Sequence, residues 1–165
     1  MTKLILIRGN AASGKTSLAT ALQAELGENT LLLSQDNIRR TMLAAHDGPD
    51  TPTIPLLRNL LIYGKTHCDY LILEGILRAD WYTPIWETIT DLFGSKNTYA
   101  YYYDLPFEET LRRHSSRAKS QEFGEKSLRR WWNDKDYLTH FSEKKIATTG
   151  SLSDSLETIL QDIKQ

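Results

Sequence analysis

Short apolar runs recur along the chain, each followed by polar residues and then by a segment with helical spacing. Leu4-Ile5-Leu6-Ile7 is continuously apolar, as expected of a central parallel strand covered on both faces. Thr30 to Ser34 and Tyr70 to Leu73 repeat that pattern, and Thr98 to Tyr103 adds a strand rich in aromatic residues. Lys145 to Thr148 is a weaker fifth strand. Between the strands, Leu18, Leu22 and Leu26 recur every four residues, and Gly27 ends that helix. Helical spacing also covers Asn37 to Ala45, Leu56 to Cys68, Trp81 to Phe93, Phe107 to about Lys119, and Glu125 to about Leu138. His46 to Pro55 reads as a loop, because it holds Gly48, Pro49, Pro52 and Pro55. Ser151 and Asp154 spell a capping box ahead of an amphipathic last helix with Leu152, Leu156, Ile159, Leu160 and Ile163. Strands alternating with helices imply a three-layer α/β fold around a parallel sheet, as one domain over residues 1–165.

The octapeptide Gly9-Asn10-Ala11-Ala12-Ser13-Gly14-Lys15-Thr16 lies between the first strand and the first helix. It spells G-x-x-x-x-G-K-T in the setting that motif requires. Glycines let the backbone wrap closely around a phosphate. Successive N–H groups then form an anion nest, and the helix N-terminus adds partial positive charge. Lys15 can reach β- and γ-phosphates as a point charge. The Thr16 hydroxyl is a hard oxygen suited to Mg2+. Gly9 to Ser17 are therefore the candidates for holding a nucleotide's phosphates.

In a parallel α/β sheet, ligands sit at the carboxyl ends of the strands. Three features fall there: the phosphate loop, Asp36 after the second strand, and Glu74 after the third. Asp36 is either the base that takes a proton from an acceptor hydroxyl or an N-cap for the helix that follows. Arg39 and Arg40 come within a turn of it, and Arg39 is the candidate for gripping the acceptor or the transferred phosphoryl group. Glu74 suits Mg2+ through a water, or a substrate hydroxyl. Arg78 is its partner or a phosphate ligand. Arg113 and Arg117 share a helix face, where like charges repel unless something anionic meets them. From Arg112 to Lys135 there are eight basic residues against three acidic ones, with Trp131 and Trp132 among them. That segment is either a lid closing on phosphate or a surface for single-stranded nucleic acid. His67, His114 and His140 have no metal-ligand spacing.

A net charge of −1 gives no global attraction to nucleic acid or membrane. The lone cysteine, Cys68, cannot form an internal disulfide, which suits the cytoplasm; it reads as a small buried residue. No apolar run approaches membrane-spanning length.

Gly9 to Thr16, Asp36 with Arg39, the strand end Leu71-Ile72-Leu73-Glu74-Gly75, and Asp104-Leu105-Pro106 followed by Arg113 and Arg117 resemble small P-loop kinases. The nearest are the zeta-toxin, chloramphenicol phosphotransferase and polynucleotide kinase group. The resemblance implies a P-loop NTPase fold with strand order 2-3-1-4-5 and a helical lid over about residues 107–138. It implies that Asp36 is the base and that Arg113 and Arg117 reach from the lid. It places the nucleotide base near Thr148 to Ser151 and the acceptor beside His46 to Cys68. The implied activity is transfer of the γ-phosphate of ATP, with Mg2+, to a hydroxyl of a small molecule. A polynucleotide 5′ end as acceptor and a non-catalytic nucleotide-binding module are the alternatives.

Overall fold

The computed structural model describes residues 1–116, 123–146 and 150–165. Five parallel strands form one sheet in the order β2-β3-β1-β4-β5. They are β1 (Lys3–Gly9), β2 (Thr30–Ser34), β3 (Tyr70–Gly75), β4 (Thr98–Tyr103) and β5 (Glu143–Ile146). The helices are α1 (Lys15–Leu26), α2 (Gln35–Asn37), α3 (Thr53–His67), α4 (Thr83–Phe93), α5 (Phe107–Ser115), α6 (Glu125–Trp131) and α7 (Leu152–Lys164).

Alternation along β1 builds two cores, because successive side chains leave a strand on opposite faces. Leu4 and Leu6 pack with Leu57, Leu61, Ile85 and Trp86, that is, with α3 and α4. Ile5 and Ile7 pack with Leu18, Leu22, Ile159 and Ile163 from α1 and α7. This two-sided burial is why Leu4 to Ile7 is apolar at every position. The capping box of α7 forms: Ser151 Oγ accepts from the Asp154 backbone N–H, and Asp154 accepts from the Ser151 backbone N–H.

Several helix limits differ from the sequence expectation. α3 begins at Thr53, so Pro55 lies in its first turn and not in the preceding loop. Proline fits there because the first turn has no intrahelical partner for its missing N–H. Asn37 to Ala45 is not one α-helix. α2 runs instead into a π-helical turn, Ile38–Met42, which widens the chain where Arg39 and Arg40 project. α6 stops at Trp131 instead of reaching Leu138, because the chain turns to meet β1. Cys68 is partly buried.

That meeting is made by Arg8, a charged residue with no solvent exposure on the Leu4–Leu6 face of β1. Its guanidinium donates to Leu77 O at 3.0 Å, to Asp136 O at 3.0 Å, to Asp136 Oδ2 at 2.8 Å and to Glu143 Oε1 at 2.9 Å. The rings of Trp86 and Tyr102 lie 5.4 and 5.5 Å from it. Burial pushes the Glu143 carboxyl above its ordinary pKa, and Arg8 opposes that rise.

Removing one partner from such a cluster leaves an uncompensated charge inside the protein. Arg8→Ala is expected to destabilise the fold by about 3–5 kcal/mol in urea unfolding at neutral pH. Without Arg8, the native pKa of Glu143 climbs further above its unfolded value. A carboxyl raised in this way favours the fold when protonated, so stability returns as pH falls through that native pKa. The deficit of Arg8→Ala should therefore shrink between pH 8 and pH 5, and a deficit that is flat with pH contradicts the assignment.

Candidate functional site

The phosphate loop leaves β1 at Gly9, whose φ of 150° belongs to glycine. A Cβ there would sit 2.8 Å from the Cβ of Tyr103, so the loop can start only because β1 passes bare backbone against β4. Gly14, at φ 107°, caps α1. Lys15 is almost wholly buried, and its ammonium donates to Asn10 O at 2.7 Å and Ser13 Oγ at 3.2 Å. The charge therefore lies within the loop's concavity. Thr16 Oγ1 donates to Glu74 Oε1 at 3.2 Å, joining the first turn of α1 to the end of β3. Glu74 is itself buried. This pair of hard oxygens beside the nest is a donor set of the kind Mg2+ takes.

Asp36 lies inside the turn of α2, not at its cap. Ser34 holds the cap position, and no side-chain capping bond forms there. Asp36 Oδ1 accepts from Arg39 Nη2 at 2.9 Å and from Arg40 Nε at 2.8 Å. Arg39 also donates to Ala45 O at 3.2 Å, and its Nε is buried with no hydrogen-bond partner. Arg78 pairs with Asp80 at 2.7 Å and lies 4.5 Å over the Trp81 ring, so it is not Glu74's partner.

Arg113 reaches from α5 back to the loop and donates to Ser13 O at 2.8 Å. Glu109 holds it at 2.8 Å and also takes Arg112. Hydrogen bonds from Arg112 first, then Arg113, lower the Glu109 carboxyl to a pKa of about 2. Arg112 is exposed, and its pairing ends at Glu109. Arg117 lies outside the described residues, as do 147–149, which include Thr148 and Thr149 of the expected base-binding loop.

One cavity of about 690 Å3 lies among these groups, with Glu109, Arg112 and Arg113 outside its lining. Ala11, Ala12, Ser13, Gly14, Lys15 and Thr16 line it together with Asp36, Arg39, Glu74 and Arg78. Gly9, Asn10 and Ser17 do not. Asn10 serves elsewhere: its side chain donates to Asn133 O at 2.7 Å and accepts from Asn133 N at 2.8 Å. Helix α3 contributes nothing to the cavity, so the expected acceptor wall of His46 to Cys68 contracts to His46 and Asp47. Within that wall sequence reasoning did not single out Asp47, and it missed Gln35, Trp81 and His114; all four line the cavity. Gln35 and Trp81 each neighbour a strand-end feature; His114 and Asp47 carried no spacing signal.

A family model described as an AAA domain (AAA_33) matches residues 4–132. The chain belongs to this AAA domain family. No curated protein matched this AAA domain in a sequence search. Solved structures do match its fold. The Mycobacterium tuberculosis APS kinase CysC in complex with AMPPNP and APS gives a TM-score of 0.69 at 17% identity, covering 99% of this chain and 98% of that one. Shikimate kinase from Acinetobacter baumannii in complex with shikimate gives 0.61 at 21%, covering 99% and 93%. A gluconokinase from Sinorhizobium meliloti gives 0.62 at 13%, covering 98% and 91%. At such identities the likeness establishes the P-loop fold. Among the described residues of this AAA domain no group of three metal-ligating side chains occurs, and no helix is long and apolar enough to cross a membrane.

The Asn10–Asn133 exchange satisfies two backbone groups that would otherwise lose their partners. Asn10→Ala is expected to lower the unfolding free energy by about 1–3 kcal/mol in denaturant titration, the effect of stranding partly buried polar groups. An unchanged midpoint and slope would show that water replaces the amide.

Proposed function

We propose that this AAA domain is an ATP-dependent phosphotransferase that moves the γ-phosphate of ATP to a hydroxyl of a small molecule. The observation carrying this reading is that Asp36 and Lys15, on different strand ends, line one cavity. The backbone of Ala11 to Thr16 holds the phosphate chain, and Lys15 exchanges its bond to Asn10 O for phosphate oxygens. Asp36 accepts the proton of the acceptor hydroxyl through Oδ2, since Oδ1 is occupied by both arginines. Arg39 orients the acceptor or the phosphoryl group. Arg113, already at the loop, balances charge on the phosphoryl group, and Arg117 joins it in the same role. Thr16 and Glu74 fit Mg2+, which supplies neutralisation of phosphate charge. Most of the rate then comes from positioning and electrostatics.

The structural relatives support this reading: one is described as an APS kinase in complex with AMPPNP and APS, another as a shikimate kinase in complex with shikimate. The finer kinship with the zeta-toxin and chloramphenicol phosphotransferase group rests on Asp36 and Arg39 lining this cavity and on Arg113 reaching the phosphate loop beside it. Residues 107–138 act as the lid of a single domain. Its basic residues favour a lid over a nucleic-acid surface. Arg129 pairs with Glu125 at 2.8 Å and lies over Phe107, while Trp132 and Trp131 pack edge-on against Phe107 and Phe123.

The direct test incubates the protein with γ-labelled ATP, Mg2+ and a panel of sugars, nucleosides, antibiotics and oligonucleotides. Label is expected on a small-molecule hydroxyl. Asp36→Asn should keep nucleotide affinity and lower kcat by about 10²–10⁴. Equal turnover in that variant removes the base.

A further inference from the structure

The acceptor half of the cavity leaves an uneven set of hydrogen-bonding valences open. Asp47 lies in the loop after the π-helical turn and lines the cavity. Its Oδ1 accepts from the Tyr82 hydroxyl at 2.7 Å, from Gly48 N at 3.0 Å and from Gln35 Nε2 at 3.4 Å. Tyr82 has no solvent exposure, and Gln35 also donates to its oxygen at 2.7 Å. Burial first, then the bond to Asp47, raises the Tyr82 hydroxyl far above its ordinary pKa, so it stays a donor. A loop carboxylate is thus anchored from the core through one oxygen. Its Oδ2 makes no hydrogen bond among the described residues.

Two more groups line the same cavity. Asp36 is used only through Oδ1. His114 is 4% exposed, and its Nε2 lies 2.7 Å from Phe123 O. With Nε2 held at that carbonyl, Nδ1 is buried with no hydrogen-bond partner. A ligand made only of acceptors, such as a simple carboxylate, would leave the free oxygens of Asp36 and Asp47 unsatisfied once water is excluded. A ligand bearing several O–H or N–H groups would satisfy them. Trp81 and the exposed Trp131 supply flat apolar surfaces for the C–H faces of such a ligand.

We infer that the acceptor is a sugar-like polyol, with at least one hydroxyl or amino donor besides the reacting hydroxyl, and that Asp47 holds this second donor. The inference rests on the phosphotransfer reading for the fate of the first hydroxyl. Asp36 takes its proton, and its oxygen bonds to the γ-phosphorus. The bond from that phosphorus to the β–γ bridging oxygen breaks, and ADP leaves with the electron pair.

The test has a binding arm and a transfer arm. Calorimetry with AMPPNP and Mg2+ present compares hexoses, amino sugars and nucleosides with 1-propanol, which has a single hydroxyl. Saturable binding of at least one polyol, and none of 1-propanol, is expected; hexose against amino sugar shows whether the second donor is O–H or N–H. Asp47→Asn should weaken that polyol by about 10–100-fold and raise its KM alike, with a far smaller fall in kcat. Tyr82→Phe, which frees the anchor, should move KM the same way by less, with melting temperature reporting on the fold. No binding of any polyol, transfer confined to single-hydroxyl acceptors, or wild-type KM in Asp47→Asn overturns the inference. Polyol binding that Asp47→Asn abolishes, with no transfer from ATP to anything, keeps the polyol site and removes the phosphotransfer reading.

Discussion

Parallel pairing of β1 with both β3 and β4 is the constraint on which the site depends. Gly75 and Tyr102 stand opposite Arg8, and Tyr103 stands opposite Gly9. All three strands therefore deliver their carboxyl ends to one edge. Everything polar that matters leaves the sheet within a residue or two of that edge. The ladder bonds fix its position, so the phosphate loop, Glu74 and the turn bearing Asp36 need few contacts of their own to stay together. The few that exist, such as Thr16 to Glu74, are single hydrogen bonds between elements already placed.

The frame was legible because its signals are local and periodic. Leu4 to Ile7 announced a strand buried on both faces, and the structure supplies a separate core for each face. Gly9 to Thr16 announced its loop because few other spellings tolerate those backbone angles. Ser151 and Asp154 announced a helix start whose two hydrogen bonds are present. In each case the residues that carry the signal also make the contact.

The remainder was hidden because its contacts are long-range. Arg8 looks like an ordinary strand residue until Asp136 and Glu143 are brought beside it from more than a hundred residues away. Asn10 looked like a phosphate ligand by position in the motif, yet its amide is committed to Asn133. Asp47 sat in a proline-rich loop with no periodicity, and only the fold reveals Tyr82 behind it. The π-helical turn after α2 escaped for a different reason: its composition is that of an ordinary helix, and tertiary context chose the wider winding.

The Asn10–Asn133 exchange also sets how the chain between Tyr103 and Asn133 is attached. One end of that stretch leaves β4 beside Gly9, and the other is fastened to Asn10, the next residue along and already in the phosphate loop. Both roots of the excursion thus sit side by side on one rigid support. Such an arrangement is modular. The stretch can change length or composition with only a slow rise in closure entropy, and related chains can acquire new selectivity there while the sheet beneath stays as it is.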